Sequence, residues 1–462
     1  MEFEKVIRGG TVTTAETSMA ADVGIVDGRV AAVGLNLPTA PEEIDATGML
    51  VMPGMIDVHT HFDHMVALVN AKNADDYDSG SRAAAVGGIT TIVNFAFQEP
   101  GLSLRAAVEH ELERAEGRSF VDYGVHQCVT DPTVKGVFEE IPKLADEGFA
   151  SVKCFTTLSP FQLPDADILK LMEVARDNGI LVNCHAEDET LVNHLTQSLL
   201  ERGLTSVAYL PQARPPVAEE VATYRFATYA RVLQAPIYFV HLSSAGALRS
   251  VRRVREEGGH IYAETRPVYL YLDDSVYDLP DREGNKYVCL PPIRSKDNQQ
   301  VLWDGLRNGE IQTYATDHAP WKAAQKLDPS RAFNQIPAGV SNVQTSIGML
   351  FSEGVNKGRM SAQQLVAVSS TNPAKLFGMW PRKGTLSPGA DADVVLIDPK
   401  REVEVLGRDM LSASDYDVYE GYRGAGWPVM TILRGEVIAR DGQIVAPAAG
   451  GRMVKRDRFM PI

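Results

Sequence analysis

Short runs of apolar and β-branched residues recur along the chain, and most of them are separated by stretches with helical periodicity. From Leu50 onward, eight such runs predict strands, within residues 50–61, 89–96, 121–129, 149–155, 179–186, 236–243, 260–269 and 311–319. Helical patterns lie between most of them, as in residues 104–117, 166–178, 218–233 and 245–258. A strand–helix alternation over about 250 residues is typical of a (β/α)8 TIM barrel. An open, doubly wound sheet is the alternative, but no Gly-rich phosphate turn follows the first strand.

The two ends of the chain differ from the middle, because there short β runs alternate with turns. Residues 1–52 contain the pair Asp27-Gly28 and residues 378–446 contain Asp441-Gly442, both strong hairpin-turn signals. We therefore expect a small β-sandwich domain built from both chain ends, with the barrel of residues 53–377 inserted between its halves. Residues 447–462, rich in Gly, Pro and Arg, are predicted to form an extended tail.

Length, cysteine use and charge narrow the class of protein. A chain of 462 residues is long enough for a barrel and a second domain without disulfides. The formal net charge of −15 argues against nucleic acid or an anionic membrane as a partner. No apolar run approaches the roughly 18 residues of a membrane span, and the N-terminus lacks a signal-peptide pattern. A reduced, cytoplasmic setting is favoured by four scattered cysteines without C-x-x-C spacing, Cys128, Cys154, Cys184 and Cys289.

Residues of metal-ligand type stand at the ends of five of the predicted strands. His59 and His61 follow the first apolar run, and residues i and i+2 of a strand project from the same face. A barrel brings the carboxyl ends of its strands together, so ligands on separate strands converge there. The remaining candidates end the fourth, fifth, sixth and eighth runs: Lys153, His185, His241 and Asp317.

This set of residues resembles the binuclear-metal amidohydrolase superfamily, in the branch of dihydropyrimidinases, hydantoinases, allantoinases and dihydroorotases. The resemblance covers nearly the whole chain and extends to the segments MPGMIDVHTHFD, SRAAAVGGITTIV, AETRPVYLYLD, KYVCLPPIR, TDHAP and STNPAKLFGMWPRKGTLSPGADADVVLID. It implies a (β/α)8 barrel with a β-sandwich and two divalent metal ions, usually Zn²⁺. It also implies hydrolysis of a small cyclic amide or imide by a homo-oligomer, a tetramer or a dimer.

The resemblance also assigns the ligands to the two metal ions. One ion would be bound by His59, His61 and Asp317, the other by His185 and His241, with Lys153 as the bridge. Because an ammonium group cannot coordinate a metal and is costly to bury, the lysine must be modified. In the family it carries a carbamate derived from CO₂, so Lys153 is expected to be N6-carboxylysine.

A metal pair lowers the pKa of the water between the ions, which supplies hydroxide near neutral pH, and polarises the substrate carbonyl. Asp317 is expected to take the proton of that nucleophile and pass it to the leaving nitrogen, which an amide requires. His318 is expected to point away from the site and to be structural. For His64 two interpretations stay open, an ordinary hydrogen-bonded histidine or a substrate contact at the pocket mouth.

Four positions bear on the substrate. Dihydroorotases carry an arginine two residues after the second histidine, where this chain has Asp63, so a carboxylated substrate is disfavoured. Typical dihydropyrimidinases and D-hydantoinases carry a tyrosine, a serine and an asparagine at three recognition positions. The replacements here are all apolar and predict a bulkier, less polar cyclic amide, imide or lactam. They are Leu158, Leu290 and Ala338.

Two other functions stay open. A ureide hydrolase resembling allantoinases or L-hydantoinases fits the absent tyrosine and the KCF sequence around Lys153. A non-catalytic scaffold resembling the collapsin response mediators is the alternative from another class, but those relatives have lost metal ligands that this chain keeps. A metal assay separates the scaffold from the enzymes, because a scaffold purifies without stoichiometric metal.

Overall fold

The computed structural model describes residues 2–66 and 70–462, which contain nineteen strands and fourteen α-helices. The strands are β1 (Lys5–Thr13), β2 (Ser18–Val26), β3 (Arg29–Gly34), β4 (Glu42–Asp45), β5 (Leu50–Pro53), β6 (Met55–Thr60), β7 (Met65–Val66), β8 (Ala71–Lys72), β9 (Ile89–Phe97), β10 (Asp122–Cys128), β11 (Ser151–Phe155), β12 (Leu181–His185), β13 (Ile237–Phe239), β14 (Ile261–Thr265), β15 (Thr313–Tyr314), β16 (Val394–Glu404), β17 (Arg423–Leu433), β18 (Glu436–Arg440) and β19 (Gln443–Ile444).

The helices lie mostly between the strands of the middle region. They are α1 (Tyr77–Val86), α2 (Leu104–Ala115), α3 (Val137–Asp146), α4 (Asp165–Asp177), α5 (Glu189–Glu201), α6 (Leu210–Ala213), α7 (Pro216–Leu233), α8 (Ala245–Glu256), α9 (Pro267–Tyr271), α10 (Asp297–Arg307), α11 (Ala323–Lys326), α12 (Ser346–Leu350), α13 (Ala362–Val366) and α14 (Asn372–Leu376). None of the helices in these described ranges is long and apolar enough to cross a membrane.

Eight parallel strands form the predicted barrel, in the order β15-β14-β13-β12-β11-β10-β9-β6. A parallel bridge between Thr60 and His318 joins the end of β6 to the segment after β15 and brings the two edges of the sheet together. Each of the eight runs predicted from the sequence overlaps one of these strands, and β9 extends one residue beyond its run. Helices cover the outside, so these strands are buried on both faces and read as nearly continuous apolar runs.

The amphipathic pattern of the outer helices explains how they pack. In α8, Ala247, Leu248, Val251 and Val254 are buried, whereas the arginines between them remain at the surface. The helix begins at Ser244, whose side chain accepts a hydrogen bond from the Ala247 amide and so satisfies one free donor of the first turn. This arrangement places the apolar stripe of α8 against the barrel.

A second, mostly antiparallel sheet combines strands from both chain ends, as predicted. Its order is β19-β18-β17-β16-β5-β1-β2-β3, with β4 paired to β1. The two halves meet where β5 pairs with β16. Both predicted hairpin turns form, with positive φ at Asp27, Gly28, Asp441 and Gly442.

Residues 447–462 lie along the barrel at the end opposite to the strand carboxyl termini. The Tyr123 amide donates to the Arg452 carbonyl at 3.0 Å, and the Val454 amide donates to the Tyr123 carbonyl at 2.7 Å. The guanidinium of Arg456 is buried and donates to Ser151 Oγ at 2.9 Å. The extended segment is therefore packed against the protein, and the four domain limits stay a prediction.

Candidate metal centre and active site

A cavity of about 390 Å³ opens at the carboxyl ends of the barrel strands. Because successive strands deliver their last residues to this end, side chains far apart in sequence meet there. The ten residues that the sequence offered as metal ligands or substrate contacts all line it: His59, His61, His64, Lys153, Leu158, His185, His241, Leu290, Asp317 and Ala338.

Two histidines converge on Asp317: His59 lies in strand β6 and His61 directly follows that strand. The Asp317 Oδ1 atom lies 3.2 Å from His59 Nε2 and 3.0 Å from His61 Nε2. Asp317 has a φ of 49°, the left-handed conformation that non-glycine residues rarely adopt. One donor atom each of His59, His241 and Asp317 lies within 4.8 Å of the other two, close enough to share a metal ion.

The other two histidines form a second group. His185 ends β12 and His241 follows β13, and His185 Nδ1 lies 3.0 Å from His241 Nε2. The rings of His59 and His241 have centroids 5.4 Å apart, so the two groups adjoin. The cavity floor thus carries two neighbouring clusters of nitrogen and oxygen donors.

Lys153 lies buried among aromatic rings. Its Nζ atom is 5.0 Å from the ring centroids of both Phe95 and Phe155. It makes no ion pair with any carboxylate in residues 2–66 or 70–462. Burial lowers the pKa of Lys153 below its ordinary value, which favours the neutral, nucleophilic amine.

Burial also keeps most of the imidazoles neutral. It lowers the pKa of His61 to about 4 and holds those of His185 and His241 below their ordinary value. A neutral imidazole keeps a lone pair on one nitrogen, which is the form that binds a metal. His59 differs: burial alone would lower its pKa, but the carboxylates of Glu264 and Asp317 raise it.

The carboxyl group of Asp317 is ionised. Burial alone would raise its pKa, but the Arg266 guanidinium and His59 hold it well below its ordinary value. Arg266 Nη1 donates directly to Asp317 Oδ2. The Asp317 carboxylate is therefore available as a ligand and as a proton acceptor.

Three charged residues that the sequence reasoning did not assign hold these side chains. Glu264 Oε1 lies 2.8 Å from His59 Nδ1, and Glu187 Oε2 lies 2.9 Å from His185 Nε2. A carboxylate behind an imidazole fixes its orientation and raises its basicity as a ligand. Arg266, which binds Asp317, is the third. Their signal in the sequence is position, since Glu264 and Arg266 stand at the end of β14 and Glu187 stands just after β12.

The two remaining histidines near the site have different environments. His318 Nε2 lies 2.8 Å from Asp75 Oδ2, and its Nδ1 accepts from the Asn342 amide at 3.0 Å, which is the predicted structural role. The His64 ring lies against Phe97, with centroids 4.1 Å apart, and lines the cavity. Burial lowers the pKa of His64 to about 3, so its ring is neutral.

One wall of the cavity is aromatic. The ring centroids of Phe97, Phe155 and Phe161 lie 5.3 to 6.0 Å apart. Leu158 lies on the same loop as Phe161 and adopts a φ of 72°. This wall offers a bound molecule apolar surface beside the polar floor.

A (β/α)8 barrel with histidines, a carboxylate and a buried lysine at its catalytic end defines the class of metal-dependent hydrolase barrels. The chain belongs to the amidohydrolase family, whose family model matches residues 50–438.

Individual relatives extend over the full length of the chain. A D-hydantoinase of Geobacillus stearothermophilus is 39% identical over 459 residues, which is 98% of this chain and 97% of the relative. The structure of a dihydropyrimidinase from Brevibacillus agri NCHU1002 superposes with a TM-score of 0.95 at 40% identity, covering 98% and 99% of the two chains. An L-hydantoinase (dihydropyrimidinase) from Arthrobacter aurescens superposes with a TM-score of 0.90 at 28% identity, covering 98% and 100%.

The family implies a binuclear metal site, and the residues present fit one. His185 Nδ1 and His241 Nε2 face one another, while the Nε2 atoms of His59 and His61 face Asp317 Oδ1. These are nitrogen and oxygen donors of the kind that first-row divalent metals bind. The opposite nitrogens of His59 and His185 are held by carboxylates, as in metal-binding histidines generally.

Proposed function

We propose that this protein opens the ring of a small cyclic amide or imide by hydrolysing a carbon–nitrogen bond. The observation that carries the proposal is the convergence of four imidazoles, Asp317 and the buried Lys153 on the floor of one cavity. Relatives that match nearly the whole chain are a D-hydantoinase and a dihydropyrimidinase, and this similarity supports the same class of reaction.

The proposed ligands divide into two groups with a shared bridge. His59, His61 and Asp317 would hold one divalent metal ion, most simply Zn²⁺, and His185 and His241 would hold the second. Two bound metal ions would polarise the amide carbonyl and make water nucleophilic near neutral pH.

Lys153 would bridge the two groups after reaction with CO₂. Its neutral amine adds to the carbon of CO₂ and loses one proton, which yields an anionic carbamate, N6-carboxylysine. Support comes from its buried position between Phe95 and Phe155 and from its lowered pKa, since both favour an amine over an ammonium. The carbamate would also supply negative charge to a floor that is rich in neutral imidazoles.

Asp317 is the proposed proton carrier. It starts ionised, so it would accept the proton of the attacking water and then deliver it to the ring nitrogen as the carbon–nitrogen bond breaks. Protonation of that nitrogen is required because an amine anion is a poor leaving group.

The cavity favours a ring with an apolar substituent. The cavity is lined by Leu158, Leu290 and Ala338, at positions where typical dihydropyrimidinases and D-hydantoinases carry hydrogen-bonding side chains. His64 lines it as a further proposed substrate contact. The aromatic wall formed by Phe97, Phe155 and Phe161 supplies apolar surface for a substituent. Recognition of the ring amide would then depend on main-chain groups.

The protein is further proposed to act in the cytoplasm as a homo-oligomer, a tetramer or a dimer. The cytoplasmic setting is supported by four free, buried cysteines in the described part of the chain. Light scattering of the purified protein measures the oligomeric state.

The test combines metal analysis with a substrate panel. Metal-replete protein is assayed on hydantoins, dihydropyrimidines, allantoin, cyclic imides and lactams, and the opening of at least one ring is expected. Lys153→Ala should lose most of its bound metal and its activity. The control is Lys170→Ala, which removes a lysine that contacts Phe138 away from the cavity and should leave both unchanged. Two metal ions per chain and normal turnover in Lys153→Ala would contradict the proposal.

A further inference from the structure

Arg266 follows β14 and contacts Asp317 rather than the cavity. Its side chain is 0% exposed, and it is not among the residues that line the cavity. Arg266 Nη1 donates to Asp317 Oδ2, and Nη2 donates to the Asp317 main-chain carbonyl at 3.4 Å. Any effect of Arg266 on chemistry in the cavity therefore passes through Asp317.

The main chain around Asp317 is held from both sides. Thr316 Oγ1 donates to Asp57 Oδ2 at 2.6 Å, and His318 Nε2 lies 2.8 Å from Asp75 Oδ2. Between these anchors Asp317 adopts a φ of 49°, a conformation that persists only when its surroundings enforce it. With the main chain fixed, the freedom that remains to Asp317 is rotation of its carboxylate.

The two carboxylate oxygens of Asp317 have different partners. Oδ1 faces the Nε2 atoms of His59 and His61, whereas Oδ2 is bound by Arg266. The oxygens of a free carboxylate are equivalent, so an external group must hold one of them if only the other is to face the histidines. Among residues 2–66 and 70–462, Arg266 is the one arginine or lysine that pairs with this carboxylate.

We propose that Arg266 is the positioning residue of Asp317. By binding Oδ2 and the main-chain carbonyl together, it keeps Oδ1 turned toward His59 and His61. The inference depends on the proposed function, in which Asp317 is both a metal ligand and the proton carrier. Arg266 does not touch the substrate and takes no part in proton transfer.

The shape of arginine suits this task. A planar guanidinium presents several N–H donors in a fixed fork, so it can bind a carboxylate oxygen and a carbonyl at once, whereas the ammonium of lysine is a point charge. Arg266 is itself supported by Tyr269, whose ring centroid lies 5.6 Å from its Cζ. The Tyr269 hydroxyl donates to the Pro291 carbonyl at 2.6 Å, which ties this support to the segment that carries Leu290.

The experiment measures two properties: the visible absorption of bound Co²⁺, which reports the orientation of Asp317, and the turnover rate. Apo-protein of the parent, Arg266→Lys and Arg266→Ala is loaded with Co²⁺, whose visible bands report coordination geometry. Both variants should bind two Co²⁺ per chain but show altered bands, because the freed carboxylate can tilt and offer both of its oxygens to the metal. We expect kcat to fall about 10² in Arg266→Ala with little change in KM, as for a displaced catalytic group.

Rescue and a matched control separate positioning from general stability. Guanidinium ions added to Arg266→Ala should restore part of the parent bands and of kcat. The control is Arg255→Ala, in helix α8, where Arg255 donates to the carbonyl of Ile261 at the start of β14 and to the carbonyl of Glu310, each at 2.6 Å. It should lower the unfolding temperature but leave the Co²⁺ bands and kcat unchanged.

Two outcomes would overturn the inference. In the first, both Arg266 variants have the Co²⁺ absorption bands and the kcat of the parent protein. The other is a loss of Co²⁺ in both variants that guanidinium does not reverse, which would make Arg266 a purely structural residue. If the parent opens none of the rings tested, the proposed function fails, but the Co²⁺ bands still decide whether Arg266 orients Asp317.

Discussion

At the scale of the residue, the site combines strained backbone with neighbouring charges. His241 and Asp317, both at strand ends, adopt positive φ values of 40° and 49°. Such non-glycine conformations cost about 1 to 3 kcal/mol each and concentrate at functional sites. At Asp317 the surrounding hydrogen bonds offset this cost and fix where the carboxylate lies.

Replacement of Asp317 by asparagine separates ligation from proton transfer. Asp317→Asn keeps the size of the side chain and one oxygen donor but cannot accept a proton. We expect kcat to fall by about 10² or more while part of the metal remains bound, as measured by turnover and metal analysis. Asp328→Asn, at an exposed turn, is the control and should match the parent. Parent-level turnover in Asp317→Asn would place the proton carrier elsewhere.

At the scale of the element, the loop after β11 shapes the apolar side of the cavity. Leu158 adopts a left-handed conformation, and its amide donates to Glu189 Oε2 at 3.3 Å, at the start of α5. Phe161 donates its amide to the Leu158 carbonyl at 2.7 Å, which closes the loop into a tight turn. The turn directs both side chains toward the cavity.

Introduction of a hydroxyl group on this loop should change specificity. Leu158→Tyr adds a donor near the floor of the cavity, and a single donor to a developing oxyanion is worth about 10² to 10³ in rate elsewhere. We expect the ratio of activity on dihydrouracil to activity on an apolar-substituted ring to rise in the variant, measured as kcat/KM for both substrates. Leu158→Met is the control, since it keeps the wall apolar. Efficient dihydrouracil hydrolysis by the parent would contradict the apolar-pocket proposal.

At the scale of the whole molecule, one buried charge cluster joins the barrel, the second sheet and the C-terminal segment. Lys383 Nζ contacts the carboxylates of Asp122 in β10, at 2.8 Å, and of Asp391, at 3.3 Å, as well as that of Asp393. Asp122 Oδ1 also accepts from the Arg452 amide at 2.9 Å. The cluster therefore links three parts of the chain that are distant in sequence.

Removal of the lysine should loosen this junction without altering the chemistry. Lys383→Met removes the cation that three buried carboxylates share, although Arg434 still contacts Asp122. Breaking a buried pair costs about 3 to 5 kcal/mol. We expect a loss of that size in the free energy of unfolding, measured by denaturant titration, with unchanged turnover per folded molecule. Lys357→Met, which breaks an exposed pair with Glu353, should cost less than about 1 kcal/mol. Equal stability of the two variants would show that the cluster does not hold the parts together.

The sequence by itself determined the barrel, the sheet from both chain ends and ten of the residues that line the cavity. Strands that are buried on both faces must be apolar throughout, so a ligand-type residue at the end of such a run is conspicuous. The barrel then places every strand end at one mouth, and for this reason His59, Lys153 and Asp317 could be grouped without coordinates.

Only the tertiary structure decided which charged residues serve the site and that His64 lines the cavity. Glu264 and Arg266 read in the sequence as polar residues at a strand end, and nothing local indicates that one holds His59 and the other Asp317. From the sequence His318 is expected to be structural, whereas the role of His64 stays open between a hydrogen-bonded histidine and a substrate contact. Their roles differ because Asp75 lies behind His318 and Phe97 lies against His64. Such partners come from distant segments, and packing rather than local pattern brings them together.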